Sequence, residues 1–171
     1  IQQAILTSSE NTNLRVNPPQ IRILHASPDS PSVDIYINNK RVIRNLTYKQ
    51  ETDYIELQEP GRYTISIYPA GETGRPVLTE SFTFKANQNY TVAAVDELNK
   101  LDLLFIYDNT DVPSGETKLR FVHLSPDAPA VDIAARGGDV IFSGVQFKEV
   151  TKYLPLSPMH VQLSVRIAGT K

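Results

Sequence analysis

The sequence has no cysteine, no tryptophan and a single methionine among its 171 residues. Without cysteine, disulfides, thiolate metal sites, CxxC redox pairs and cysteine nucleophiles are excluded together. That absence does not fix a compartment, because cytosolic and exported chains alike can do without thiols. Long apolar runs are also missing. The best candidate, around 103–107, is far shorter than the ~20 residues a membrane helix needs. Nor is there an excess of one charge: 17 Lys and Arg face 19 Asp and Glu, a formal net charge of −2. Nucleic-acid binders neutralise phosphates with clustered basic residues, and this balance argues against one. What is present fits a folded globular protein, since 40% of residues are hydrophobic and 21% charged, a balance unlike that of disordered chains. At ~150 residues per domain, the length suits one or two domains. The chain begins at Ile1 rather than Met, which reads as a processed or trimmed product with no signal peptide left to inspect.

The dominant feature is an internal repeat. Residues 22–35, RILHASPDSPSVDI, match residues 120–133, RFVHLSPDAPAVDI, at 9 of 14 positions. Beyond the motif, Val42-Ile43 align with Val140-Ile141. After a one-residue insertion, Tyr48-Lys49 align with Phe147-Lys148, and Thr52 and Tyr54 with Thr151 and Tyr153. Pro60 and Pro158, and Ala70-Gly71 and Ala168-Gly169, close the match. The chain therefore divides into a polar leader (1–19), a first copy (20–108), a turn-rich linker (109–117) and a second copy (118–171). The second copy has no counterpart to residues 72–108.

Hydrophobic periodicity is mostly two, the signature of strands. Strands are predicted over 20–26, 32–37, 62–68, 77–84, 90–96 and 101–107, with seven or eight in the first copy altogether. The second copy is predicted to form strands over 118–124, 131–135, 140–143 and 160–167. Turns are expected at 38–40, where Asn tolerates positive φ, at Pro60-Gly61 and at 136–139. Val92, Val95, Leu98, Leu101 and Phe105 also fit a helix, but the Tyr, Thr, Val and Ile around them favour two strands and a turn. Many short strands at this spacing indicate antiparallel β-sandwiches.

The motif His-x-Ser-Pro-Asp-x-Pro-x-Val-Asp occurs as His25, Ser27, Pro28, Asp29, Pro31, Val33 and Asp34, and again as His123, Ser125, Pro126, Asp127, Pro129, Val131 and Asp132. His, Ser and Asp in one loop suggest a hydrolase triad. The strand pattern argues against it. His25 shares a face with Ile21 and Ile23, and His123 with Leu119 and Phe121, and that face is the one a sandwich buries. A buried imidazole needs a hydrogen-bond partner, so the histidines read as structural. Ser27 and Asp29, flanking Pro28, would close a tight turn through nearby amides. Pro28 and Pro31 would stiffen the crossing between strands. The expected clamp is a His–Asp or an Asp–backbone bond. A Ca²⁺ site on Asp29 and Asp34, or on Asp127 and Asp132, lacks the six to eight oxygens that ion takes. The face argument also parts His25 from Asp34 and so disfavours Zn²⁺.

With this motif the sequence resembles the DUF4397 family of secreted or surface-associated bacterial domains. The resemblance covers the first copy almost entirely and the second as far as it runs. It implies an all-β, immunoglobulin-like sandwich, often in tandem, on exported proteins, and it brings no catalytic residues. The fold class expected is therefore all-β, with tandem immunoglobulin-like antiparallel sandwiches of which the second is short.

Other motifs fall away. No GxGxxG, GxxxxGK[ST], HExxH or GxSxG string occurs. Residues 71–74 read as a turn, Arg136–Asp139 is an RGD broken by a second Gly, and Asp96-Glu97 is a solvated carboxylate pair. Tyr36 and Tyr68 point away from the core, as cross-strand pairs or as rings that stack on sugars. Phe121, Val131, Ile133, Leu163, Val165 and Ile167 are expected to lack cover. Three remedies are a shortened chain, packing onto the first copy, or a strand donated from elsewhere; the leader, with Ala4-Ile5-Leu6 and Leu14-Arg15-Val16, would suit such a donor. The functional expectation is a non-enzymatic, exported, modular protein with a structural, adhesive or cell-envelope role, without cofactor or metal. The alternatives are a carbohydrate- or cell-wall-binding module, a strand-exchanging fibre subunit, and a hydrolase. The partners implied are envelope glycan, another protein or the chain itself, but neither nucleic acid nor a transmembrane segment.

Overall fold

The computed structural model describes residues 16–170. The leader's proposed strand-donor segment falls almost entirely outside them. The architecture is all-β, as expected from the period-two patterning. The first half contains β1 (Gln20–His25), β2 (Val33–Ile37), β3 (Lys40–Leu46), β4 (Ile55–Glu56), β5 (Gly61–Pro69), β6 (Leu78–Phe84), β7 (Asn89–Val95) and β8 (Asp102–Asp108). The second half contains β9 (Thr117–Leu119), β10 (Val131–Ala135), β11 (Val140–Val145), β12 (Leu154–Leu156) and β13 (Leu163–Ile167).

Two four-stranded sheets, ordered β4-β1-β7-β8 and β3-β2-β5-β6, make up the first half. Their inward residues share one core: Ile21 and Ile23 from β1, Ile35 from β2, Ile65 and Ile67 from β5, and Phe84 and Val92. Phe82 stacks on Phe105 at 4.4 Å, joining β6 to β8 across the layers. The β2–β3 hairpin turns on Asn38 and Asn39, both at positive φ (47° and 66°), as a tight hairpin with a right-handed twist requires. Residues 92–105 form strands, not a helix: Val92 lies opposite Phe105 in the β7–β8 ladder, and a short 3-10 turn, Leu98–Lys100, joins them.

Four expectations need correction. The sheets are not wholly antiparallel, because β1 and β7 run parallel over six paired positions; the chain leaves β1 for the opposite sheet and re-enters beside it much later. Val42-Ile43 do not correspond to Val140-Ile141. Ile43 pairs with Ile35 and Phe142 with Ile133, so the extra residue of the second half sits in the turn before β11. The strand expected over 118–124 is cut to Thr117–Leu119 plus an isolated bridge between Val122 and Val150. Finally, Val131 and Ile133 are buried with Val145, packed against Phe121 and Phe142. Lack of cover applies only to Leu163, Val165 and Ile167, which are 40%, 60% and 58% exposed.

The second half forms a three-stranded sheet, β11-β10-β13, and a two-stranded one, β12-β9. It rests on the outer face of β1, β7 and β8. Leu124 packs there against the cluster of Ala26, Ala93 and Val95, as Leu24 and Leu104 of the first half do. The second copy does pack onto the first, but this contact leaves Leu163, Val165 and Ile167 uncovered.

Candidate functional site

The motif sits where β1 gives way to the crossing toward β2. His25 ends β1, and its main chain is held on both sides: its N–H donates to the Gln50 carbonyl (2.9 Å) and its carbonyl accepts from the Lys49 N–H (2.8 Å). Its ring lies inside, 1% exposed, with Nε2 3.0 Å from the Pro31 carbonyl oxygen. A carbonyl only accepts, so Nε2 carries a proton. His123 repeats this arrangement: it is 3% exposed, Nε2 lies 3.0 Å from the Pro129 carbonyl, and its backbone meets Glu149 and Lys148. An aromatic ring faces each imidazole edge-on, Tyr48 in the first half and Phe147 in the second, both at 6.3 Å. The halves differ at Nδ1. In His123 it accepts the Ser125 N–H at 3.3 Å, whereas in His25 it is buried without a partner.

No His–Asp bond forms, so that part of the expected clamp is replaced by a His–carbonyl bond. The aspartates act separately, on the opposite face of the next strand. Asp34 is buried; its Oδ1 accepts the Asn45 N–H (2.8 Å), and its Oδ2 accepts the Gly71 N–H (3.3 Å) and Arg41 Nη1 (3.2 Å). Asp132 accepts the Gly144 N–H (2.7 Å) and the Ser143 hydroxyl (3.2 Å) at Oδ1 and the Gly169 N–H (2.9 Å) at Oδ2. The register shifts opposite each aspartate. There the chain adopts positive φ, 52° at Asn45 and 63° at Gly144, which turns an amide inward as a bulge does. Each carboxylate thus ties two strands and the turn that follows a third at one point. Burial works to raise the Asp34 pKa, but the amides of Asn45 and Gly71 and the Arg41 guanidinium outweigh it and hold the group below the usual carboxylate range. The amides of Gly169 and Gly144 lower Asp132 likewise.

The side chains of Ser27, Asp29, Ser125 and Asp127 do not close a turn on the following amides as expected, although in the second half the Ala128 N–H donates to the Ser125 carbonyl (3.4 Å) in a backbone turn. The Ser27 hydroxyl meets that of Ser30 at 2.6 Å. Asp29 reaches across to accept the Leu98 N–H at 2.8 Å. The second half has no counterpart to Leu98, and Asp127 accepts the Ser125 hydroxyl instead (2.9 Å). Pro28 and Pro31 are exposed on the crossing, as is Pro129, with Pro126 half-buried. In neither half do hydroxyl, imidazole and carboxylate line up in a relay. Among the described residues, no group of three or more His, Asp or Glu is placed to hold a metal ion.

Sequence reasoning missed a second cluster, at the joint between the halves. Asp108, buried at the end of β8, accepts the Thr91 hydroxyl (2.6 Å), the Tyr54 hydroxyl (2.7 Å) and a short bond from Arg120, with Arg22 Nε at 3.7 Å. Arg22 and Arg120 are repeat equivalents, as are Tyr54 and Tyr153. Each arginine lies over its own half's tyrosine, at 5.2 and 4.5 Å, within cation–π range. Burial and the Asp108 carboxylate push the Tyr54 hydroxyl up to about 12. Lys148 adds a second tie, to Asp102 (2.8 Å) and Asp96 (3.3 Å). Asp96 is therefore a partner in the joint rather than a solvated carboxylate. The only signal in the sequence was the pairing of Arg22 with Arg120 and of Tyr54 with Tyr153. A cleft of about 300 Å³ remains beside the joint, lined by Leu24, His25, Ala26, Tyr48, Lys49, Leu124 and Ser125.

In a comparison with known families, residues 19–134 fit the model of DUF4397, a domain of unknown function. The matched span takes in more than half of the chain, including the first half, Arg120 of the joint and the whole second motif. No curated protein matches the chain.

Proposed function

We propose, starting from the fact that the chain belongs to the DUF4397 family, that it is a non-catalytic, exported scaffold of tandem immunoglobulin-like units with a structural, adhesive or cell-envelope role. The observation that carries this is the commitment of the motif. Both imidazoles are buried and donate to proline carbonyls, and both aspartates are spent on backbone amides. A general base must instead be able to reach the proton it removes. The motif's polar groups hold strands together, and the duplicated unit supplies rigid length. Fractionation of the source cells should place the protein outside the cytoplasm. Recovery in the cytosol, or turnover of any ester or peptide in a broad screen that His25→Ala abolishes, overturns the reading.

A second reading, a glycan-binding module, is favoured by one feature. Tyr36 and Tyr68 lie ring to ring at 4.6 Å on the outer face of β2 and β5, half-exposed, and paired rings of this kind suit sugar faces. A pull-down with purified cell wall, lost on Tyr36→Ala, would establish it. Equal retention of the variant removes it.

A further inference from the structure

The first half shows how this fold covers the strand that β13 repeats. Ile65 and Ile67 of β5 are 1% and 0% exposed, in one cluster with Phe84, Val92 and Leu103. β6 pairs along the outer edge of β5, from Gly61 opposite Phe84 to Ile67 opposite Leu78. In the second half Ile133 pairs with Val165 as Ile35 pairs with Ile67, so Leu163 and Val165 stand where Ile65 and Ile67 stand. They are 40% and 60% exposed. Among the described residues β13 has one neighbour, β10, and β9 has one, β12, where β5 and β1 each have two.

The joint adds an independent observation. Lys148 and Lys49 are repeat equivalents with the same left-handed backbone, φ 67° and 70°. Lys148 reaches across to Asp96 and Asp102, at the near ends of β7 and β8. Among the described residues Lys49 makes no such ion pair, and it lines the cleft against Leu124 and Ser125. The packing is reciprocal: the Lys148 turn faces the first half and the Lys49 turn faces the second. By that reciprocity, carboxylates answering Lys49 belong on strands laid beside β9.

We propose that the second half is a strand acceptor for an acidic–apolar segment of the kind found in residues 78–108. Its strands add antiparallel along Leu163–Ile167 and parallel along Thr117–Leu119, and they bring a carboxylate to Lys49. Strand addition takes affinity from main-chain hydrogen bonds and specificity from alternate side chains. Here the open edges supply the first, and the apolar stripe with the single ammonium supplies the second.

The test uses a synthetic peptide of residues 76–108 added to the 171-residue chain. Because the chain has no cysteine, Val165→Cys provides one thiol that reports the covered face. Saturating peptide should slow maleimide labelling of that thiol by about tenfold or more, and Val165→Lys should weaken peptide binding by about tenfold or more. Lys49→Glu should weaken it by about threefold, and exposed Lys100→Glu should leave it unchanged. Unchanged labelling, or equal binding by Val165→Lys, overturns the proposal. Should the peptide self-associate, the same segment joined after Lys171 through a flexible linker gives the same readout, and a thiol as reactive as before again overturns it. Protection that rises with protein concentration in the chain alone assigns the face to a second copy, and the donor-segment proposal fails.

Discussion

The two halves carry the same polar clamps and differ in how much apolar surface those clamps stand on. Imidazole to proline carbonyl, carboxylate to two amides, and the left-handed turn lysine recur with distances within a few tenths of an ångström. Around them the first half closes two four-stranded sheets on a continuous core, and the second buries a small cluster of Val131, Ile133 and Val145. The comparison teaches that the motif specifies local geometry without needing a full sandwich behind it. Hydrogen bonds fix positions while contributing modestly to stability, and most of the stabilisation comes from apolar burial.

The sharpest test of this difference is a matched pair of truncations. Ile67→Ala should cost about 3–4 kcal/mol in urea unfolding, the scale for a fully buried aliphatic. Val165→Ala, at the equivalent position, should cost less than about 0.5 kcal/mol. Equal costs would mean that the second face is covered in solution. Next in size is the joint. Asp108→Ala leaves Arg120 facing buried ground without its counter-charge, and should cost about 3 kcal/mol. It should also split a single unfolding transition into two, seen as non-coincident tyrosine fluorescence and circular dichroism; one coincident transition would show that the halves cohere without the ion pair.

The clamps should respond alike. His25→Ala and His123→Ala each strand a proline carbonyl and are expected to cost about 2 kcal/mol. A much smaller effect of His123→Ala would show that the clamp depends on the core beneath it. Acid gives the smallest effect. Asp34 and Asp132 have folded-state pKa values below their unfolded ones, so their contribution is complete above the ordinary carboxylate range and is lost as pH falls through the lowered values. The melting temperature should therefore drop below about pH 4. Asp34→Asn should flatten that drop, and a pH profile identical to the parent's would contradict the assignment.

Much of this was legible in the residues because alternation reports burial directly: Ile21, Ile23 and His25 announce the inner face of β1, and Val131–Ala135 repeats Val33–Ile37. β3 was not predicted, because Lys40–Leu46 reads KRVIRNL and its bulge at Asn45 breaks the period. β4 and β12 are too short to show one. The burial of Asp34 was hidden for a different reason. It lies on the face away from the core, and the amides of Asn45 in β3 and of Gly71 in the turn after β5 fold over it. Asp108 was hidden further still, since its partners come from β1, β7, the segment before β4 and the far half.

Asp108 and Arg120 stand only twelve positions apart in the chain, yet their bond crosses from one half to the other. If tension along the polypeptide broke it, the slack released would be at most about 40 Å, the reach of so few extended residues. The ruptured partners would remain tethered at high local concentration and rejoin once the load fell. An ion pair placed so close to its own leash would re-form more readily than one whose partners lay far apart in the chain.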